Sequence, residues 1–196
     1  MTVFKTLFSH RAMLSVWPLI ALCTLLMVID AAGPLSFQRP AIAEGQWYRL
    51  LTGHFLHSNW PHLGMNMAGA LVLWSLHGHF FSVRKYWLYL LLLSFGVGLC
   101  LYGFSPNISL YVGLSGSLHG LIAYGSVRDI RSGEKTGYLI IVGVIAKVAY
   151  EQIVGASSDV EALIDSRVAI EAHLFGLLCG LGLALLEWRG IKKPEA

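Results

Sequence analysis

Charge is what this chain has least of. Only 13% of its 196 residues are Asp, Glu, Lys or Arg, against about 25% in soluble domains. With 56% apolar residues and a mean hydropathy of +0.64, that scarcity argues against a soluble globule. It also excludes disorder, which needs low hydrophobicity and high net charge. Cysteine is scarce too: Cys23, Cys100 and Cys179 all sit inside apolar runs. They read as small packing residues, so neither a disulfide framework nor a CxxC metal or redox site is available. The net charge is +3 and the 14 Lys and Arg are scattered, so the basic stripe of a nucleic-acid binder is missing and no nucleic-acid partner is expected. HExxH is absent, and His54, His57 and His62 have no carboxylate or cysteine at ligand spacing, so no metal and no cofactor is expected.

What the chain has in abundance is apolar runs punctuated by Gly, Pro, Asn and charge. They predict an all-α integral membrane protein, one compact bundle of six transmembrane helices over 1–196, with spans at roughly 13–32, 62–80, 86–104, 115–128, 137–154 and 168–188. The fourth is short for a core of about 30 Å. The first run exceeds a signal-peptide h-region and has no small-x-small cleavage site, so it is expected to stay in the mature protein. With the N-terminus in the cytoplasm, Lys5, Arg11, Arg84, Lys85, Arg128, Arg131, Lys135, Arg189, Lys192 and Lys193 lie inside, and only Arg39, Arg49 and Arg167 outside. The positive-inside bias therefore places both termini in the cytoplasm and loops 33–61, 105–113 and 155–167 on the opposite side. No extramembrane domain and no internal repeat is expected.

Polar groups at bilayer depth are costly and mark function. Here they are His62 and Asn66 in the second span, Ser115 and His119 in the fourth, Lys147 and Glu151 in the fifth, and Glu171 and His173 in the sixth. Ser115 opens a helix, where free backbone N–H groups and the dipole suit a serine whose attack on a carbonyl creates an oxyanion. Taken alone it reads equally well as a helix cap. Gly116 and Gly120, facing Ala172, Gly176 and Gly180, are small-residue faces that allow two helices to approach closely enough to bring His173 onto Ser115.

The serine needs a base, and two histidines compete. His119 shares its helix face but lies roughly 6 Å along the axis. Glu171, two positions from His173, points to another face, so no carboxylate is expected to orient His173, and the prediction is a Ser-His dyad. His62 and Asn66, at i and i+4, can both donate to an oxyanion. Lys147 and Glu151, also at i and i+4, read as a structural ion pair.

The ordered motifs are the Trp47/Arg49 loop, His57 followed by His62-x-x-x-Asn66, Gly113-x-Ser-Gly-x-x-x-Gly120, and Ala172-His-x-x-Gly176. Together they resemble the rhomboid family of intramembrane serine proteases along the whole chain. The resemblance implies Ser115 as nucleophile, His173 as general base, and His62, Asn66 and the Ser115 N–H as oxyanion hole. It departs at His119, where many rhomboids carry a tyrosine stacked on the catalytic histidine; an auxiliary role is open to His119. The Gly-Leu-Ser-Gly-x-Leu-His-Gly stretch resembles the rhombosortase branch. That branch implies a bacterial inner-membrane enzyme opening to the periplasmic side, with membrane-anchored substrates ending in a Gly-Gly motif, a hydrophobic helix and a basic tail. Its acyl-enzyme is resolved by water or by an amine. The rival readings are a small transporter or proton relay built on Lys147, Glu151, Glu171 and His173, and an inactive rhomboid-like binding protein.

Overall fold

The computed structural model describes residues 7–188. Lys5, Arg189, Lys192 and Lys193 of the charge count lie outside them. Six helices of 13 to 22 residues dominate: α1 (Val16–Val28), α2 (Trp60–His77), α3 (Val83–Phe104), α4 (Ser115–Arg131), α5 (Thr136–Val154) and α6 (Ile170–Leu186). Their starts follow local chemistry. Asn59 opens α2 by accepting the His62 N–H at 2.9 Å, with a proline in the first turn. Ser82 opens α3 by accepting the Lys85 N–H at 3.2 Å.

Among the described residues, His10–Val28, Val83–Phe104 and Thr136–Val154 are long and apolar enough to cross a membrane, and α6 is apolar but shorter. The long helices stand near the expected runs with shifted ends. The third starts at Val83, and the fourth continues to Arg131.

The all-α expectation needs one correction. β1 (Phe37–Gln38) and β2 (Leu110–Tyr111) form a small antiparallel ribbon, Phe37 opposite Tyr111 and Gln38 opposite Leu110. A long connection must satisfy its backbone polar groups. Loop 33–61 does so with this ribbon and with short helices at Arg39–Ala43 and Arg49–Thr52. Two arginines hold it in place. Arg39 donates to the carbonyls of Leu101, Tyr102 and Ser105, each at 2.8 Å, and so caps the end of α3. The buried Arg49 donates to Ser36 O at 2.8 Å and to Gln46 Oε1 at 2.7 Å.

Helix α4 runs through the centre of the bundle, with α2, α3, α5 and α6 packed around it. Its closest partner is α6, and glycine is the reason. A Cβ on Gly176 would stand 1.9 Å from the Gly116 carbonyl oxygen, and one on Gly180 would stand 2.1 Å from that of Gly120. The helices touch backbone to backbone, as the small-residue faces predicted. Leu90, Leu93, Leu121, Tyr124 and Trp74 fill the core beside this seam.

Candidate active site

The α4–α6 contact carries two side chains with it. His173, buried near the start of α6, points Nε2 at Ser115 Oγ, 2.9 Å away, although 58 residues separate them in sequence. Ser115 is the first residue of α4. The cap position belongs to Leu114, and no side chain caps the helix. The hydroxyl is therefore not spent as a cap, which sets aside the reading in which Ser115 merely terminates a helix.

The other ring edge of His173 departs from expectation. Nδ1 lies 2.8 Å from Glu151 Oε2 and 3.1 Å from Lys147 Nζ, both on α5. The two α5 residues also pair with each other at 2.9 Å. A carboxylate thus stands behind His173 after all, and it is not Glu171. The i, i+4 spacing exposes the Lys147–Glu151 pair in the sequence, but only the packing of α5 against α4 and α6 turns that pair toward the histidine. The one signal available beforehand was the expense of two ionisable groups within a span.

His119 is not in line for proton transfer with Ser115. Its Nδ1 lies 2.8 Å from the Ser115 carbonyl oxygen, one helical turn back, and its Nε2 lies 3.0 Å from Lys147 Nζ. Its ring stacks on His173, centroids 4.2 Å apart and planes 20° apart. Where the family resemblance leads one to look for a tyrosine, an imidazole provides the stacking face.

His62 and Asn66, both buried on α2, face the same space from the other side. Gly113, at φ +130°, brings the chain past them: a Cβ there would meet His62 Nε2 at 2.9 Å and Asn66 Nδ2 at 3.9 Å. Tyr111 fixes this turn by donating to Gly113 O at 2.5 Å. His62 Nδ1 lies 3.4 Å from the Ser58 N–H and 3.0 Å from Ser58 Oγ, so its ring is oriented by the preceding loop. Edge-on to His62 sits His57. Burial, with His62 as a lesser cause, holds the His57 imidazole down to about 3, so it is neutral at physiological pH.

Ser115, His173, His119, His62, Asn66, Lys147 and Glu151 all line one cavity of about 620 Å³. Its remaining walls are mostly apolar, among them Met65, Val72, Ile122, Leu139 and Val144, with Ser157 and Arg167 also on the lining, and it lies between α2 and α5. The arrangement is a hydroxyl hydrogen-bonded to an imidazole beside polar donors, in a largely apolar cavity. Among the described residues no group of His, Cys, Asp and Glu could hold a metal ion.

The Rhomboid domain matches residues 44–190, most of the chain and all the residues just described. The chain belongs to the Rhomboid domain family. This rhomboid is also similar to "Rhomboid-like protein 11, chloroplastic" of Arabidopsis thaliana, 28% identical over 156 residues, which cover 76% of this chain and 55% of that protein. It therefore spans just over half the length of that relative. Family membership and the long apolar helices together mark a membrane protein.

Proposed function

We propose that this rhomboid is an intramembrane serine endopeptidase of the rhombosortase branch, working through Ser115 and His173. The observation that carries the reading is the 2.9 Å contact of His173 Nε2 with Ser115 Oγ inside the shared cavity. Ser115 Oγ attacks the scissile carbonyl carbon as its proton passes to His173 Nε2. His62 Nε2–H, Asn66 Nδ2–H and the Ser115 backbone N–H stabilise the oxyanion that forms. The tetrahedral intermediate collapses, the C–N bond breaks, and His173 returns the proton to the leaving amine. A water, deprotonated by His173, or an incoming amine then releases the acyl group from Ser115.

The substrates are exported proteins with a C-terminal Gly-Gly motif, hydrophobic helix and basic tail. Glycine near the scissile bond suits this site, because a substrate helix has to unwind to present a carbonyl, and glycine weakens helix most among the non-proline residues. Six spans with both termini in the cytoplasm put the Ser115 end of the bundle on the periplasmic side of a bacterial inner membrane. The ionisable groups that would serve a transporter, Lys147, Glu151 and His173, are instead gathered around Ser115.

The test is a fluorophosphonate probe applied to the detergent-solubilised protein, followed by a Gly-Gly-anchored reporter in vesicles. Labelling and cleavage are expected in the wild type and absent in Ser115→Ala and His173→Ala. Cleavage that persists in Ser115→Ala overturns the reading.

A further inference from the structure

We infer that Glu151 is a positioning residue for His173 and that Lys147 braces it, so the site is a Ser-His-Glu arrangement held by three helices. The inference rests on the protease reading above and extends it.

The argument is one of proton accounting. For His173 to take the Ser115 proton, Nε2 has to be bare, so Nδ1 carries the ring's hydrogen. Nδ1 has two neighbours, Glu151 Oε2 at 2.8 Å and Lys147 Nζ at 3.1 Å. A protonated lysine only donates, so its natural partner is a bare Nδ1, which would place the hydrogen on Nε2 and leave His173 unable to act as base. The carboxylate only accepts and selects the opposite tautomer. Glu151 decides between them by drawing Lys147 to itself at 2.9 Å.

The remaining protons fall into place. His119 donates Nδ1–H to Ser115 O at 2.8 Å, which leaves Nε2 bare to accept from Lys147 at 3.0 Å. Glu151 Oε2 then accepts from both Lys147 and the His173 Nδ1–H, and Lys147 also donates to His119, so both rings are held in defined tautomers. Once His173 takes the serine proton, the same carboxylate lies against the imidazolium. It is itself half-buried, in low-dielectric surroundings where such a contact is strong.

The experiment measures the saturating rate of fluorophosphonate labelling and the half-saturating probe concentration on the purified full chain, with thermal unfolding alongside. Glu151→Gln keeps the shape but offers an amide that can donate to Nδ1. It is expected to lower the saturating rate by about 10²- to 10⁴-fold, with the half-saturating concentration little changed. Glu151→Asp, which keeps the carboxylate, recovers part of that rate. Lys147→Met, which leaves the Glu151–His173 bond, loses less than Glu151→Gln.

The decisive variant is the double, Lys147→Met with Glu151→Gln, which removes both charges together and remains informative where the single glutamine variant fails to fold. If Glu151 orients His173, the double labels as slowly as Glu151→Gln. Restoration of the wild-type rate in the double makes Glu151 a mere counter-charge for Lys147 and overturns the inference. So does a wild-type rate in Glu151→Gln. A folded wild type that never labels fails the protease reading instead, and the inference with it.

Discussion

Two histidine–carboxylate pairs lie among the described residues of this bundle, and their surroundings differ sharply. His173 meets Glu151 at 2.8 Å and His77 meets Asp129 at 3.0 Å. The first pair joins α6 to α5, lines the cavity, and presents its free ring nitrogen to a serine hydroxyl. The second joins α2 to α4 and is sealed: His77 is wholly buried and its Nδ1 has no hydrogen-bond partner. Gly125 packs against the His77 ring so tightly that a Cβ would stand 2.4 Å from it. The comparison teaches that a histidine–carboxylate contact is not itself a sign of chemistry. What separates a reactive pair from a structural tie is a nucleophile on the far nitrogen and room for a substrate.

The largest effect expected is at the cavity pair. Ser115→Ala is expected to cut turnover of any substrate by up to about 10⁶-fold while leaving the melting temperature in detergent unchanged, as read by reporter cleavage and thermal unfolding in parallel. Asp129→Ala should do the reverse, costing about 3 kcal/mol of stability by stranding a buried His77. The correctly folded fraction should label with fluorophosphonate at the wild-type rate. A rate loss there would erase the distinction between the two pairs.

Gly176→Ala pushes a methyl group onto the Gly116 carbonyl and tests the seam that brings His173 to Ser115. A loss of about 1–3 kcal/mol is expected, together with a labelling defect larger than that of Gly125→Ala, which is also crowded, at the sealed end. His119→Phe keeps a stacking face and removes two hydrogen bonds, so a fall of less than about tenfold is expected. A complete loss would move the base to His119.

The smallest effect belongs to the loop. The His57 pKa is depressed to about 3 from an ordinary 6.5, so its neutral form costs nothing above pH 6.5. Below that, the unfolded chain gains a proton that the folded chain refuses, and stability declines as pH falls toward 3. Melting temperatures between pH 7 and pH 4 should fall less steeply in His57→Phe than in the wild type.

Much of this was legible in the residue order. The apolar runs marked the long helices because a bilayer-spanning helix has to hide its backbone and show hydrocarbon, and the displaced ends at Val83 and Arg131 lie where capping, not hydropathy, sets the boundary. The ribbon of Phe37–Gln38 with Leu110–Tyr111 was hidden because two-residue strands carry no periodicity to read. Ser115, His173, His62 and Asn66 stood out because polar groups among apolar neighbours have few other reasons to be there. Glu151 stood out equally, yet its nearest visible partner was Lys147, four residues away, and the spacing favoured a self-contained ion pair.

The sequence by itself determined the membrane class, the small-residue faces of α4 and α6, and the set of polar side chains available for chemistry. These follow from composition and from spacing along single helices. Only the tertiary structure decided which of those side chains meet: that Ser115 is not a cap, that His119 stacks on His173, and that Glu151 turns toward His173 while Asp129 closes on His77. Helical periodicity says which residues share a face of one helix, but how helices rotate against each other is set by packing, here by glycines that let two backbones touch.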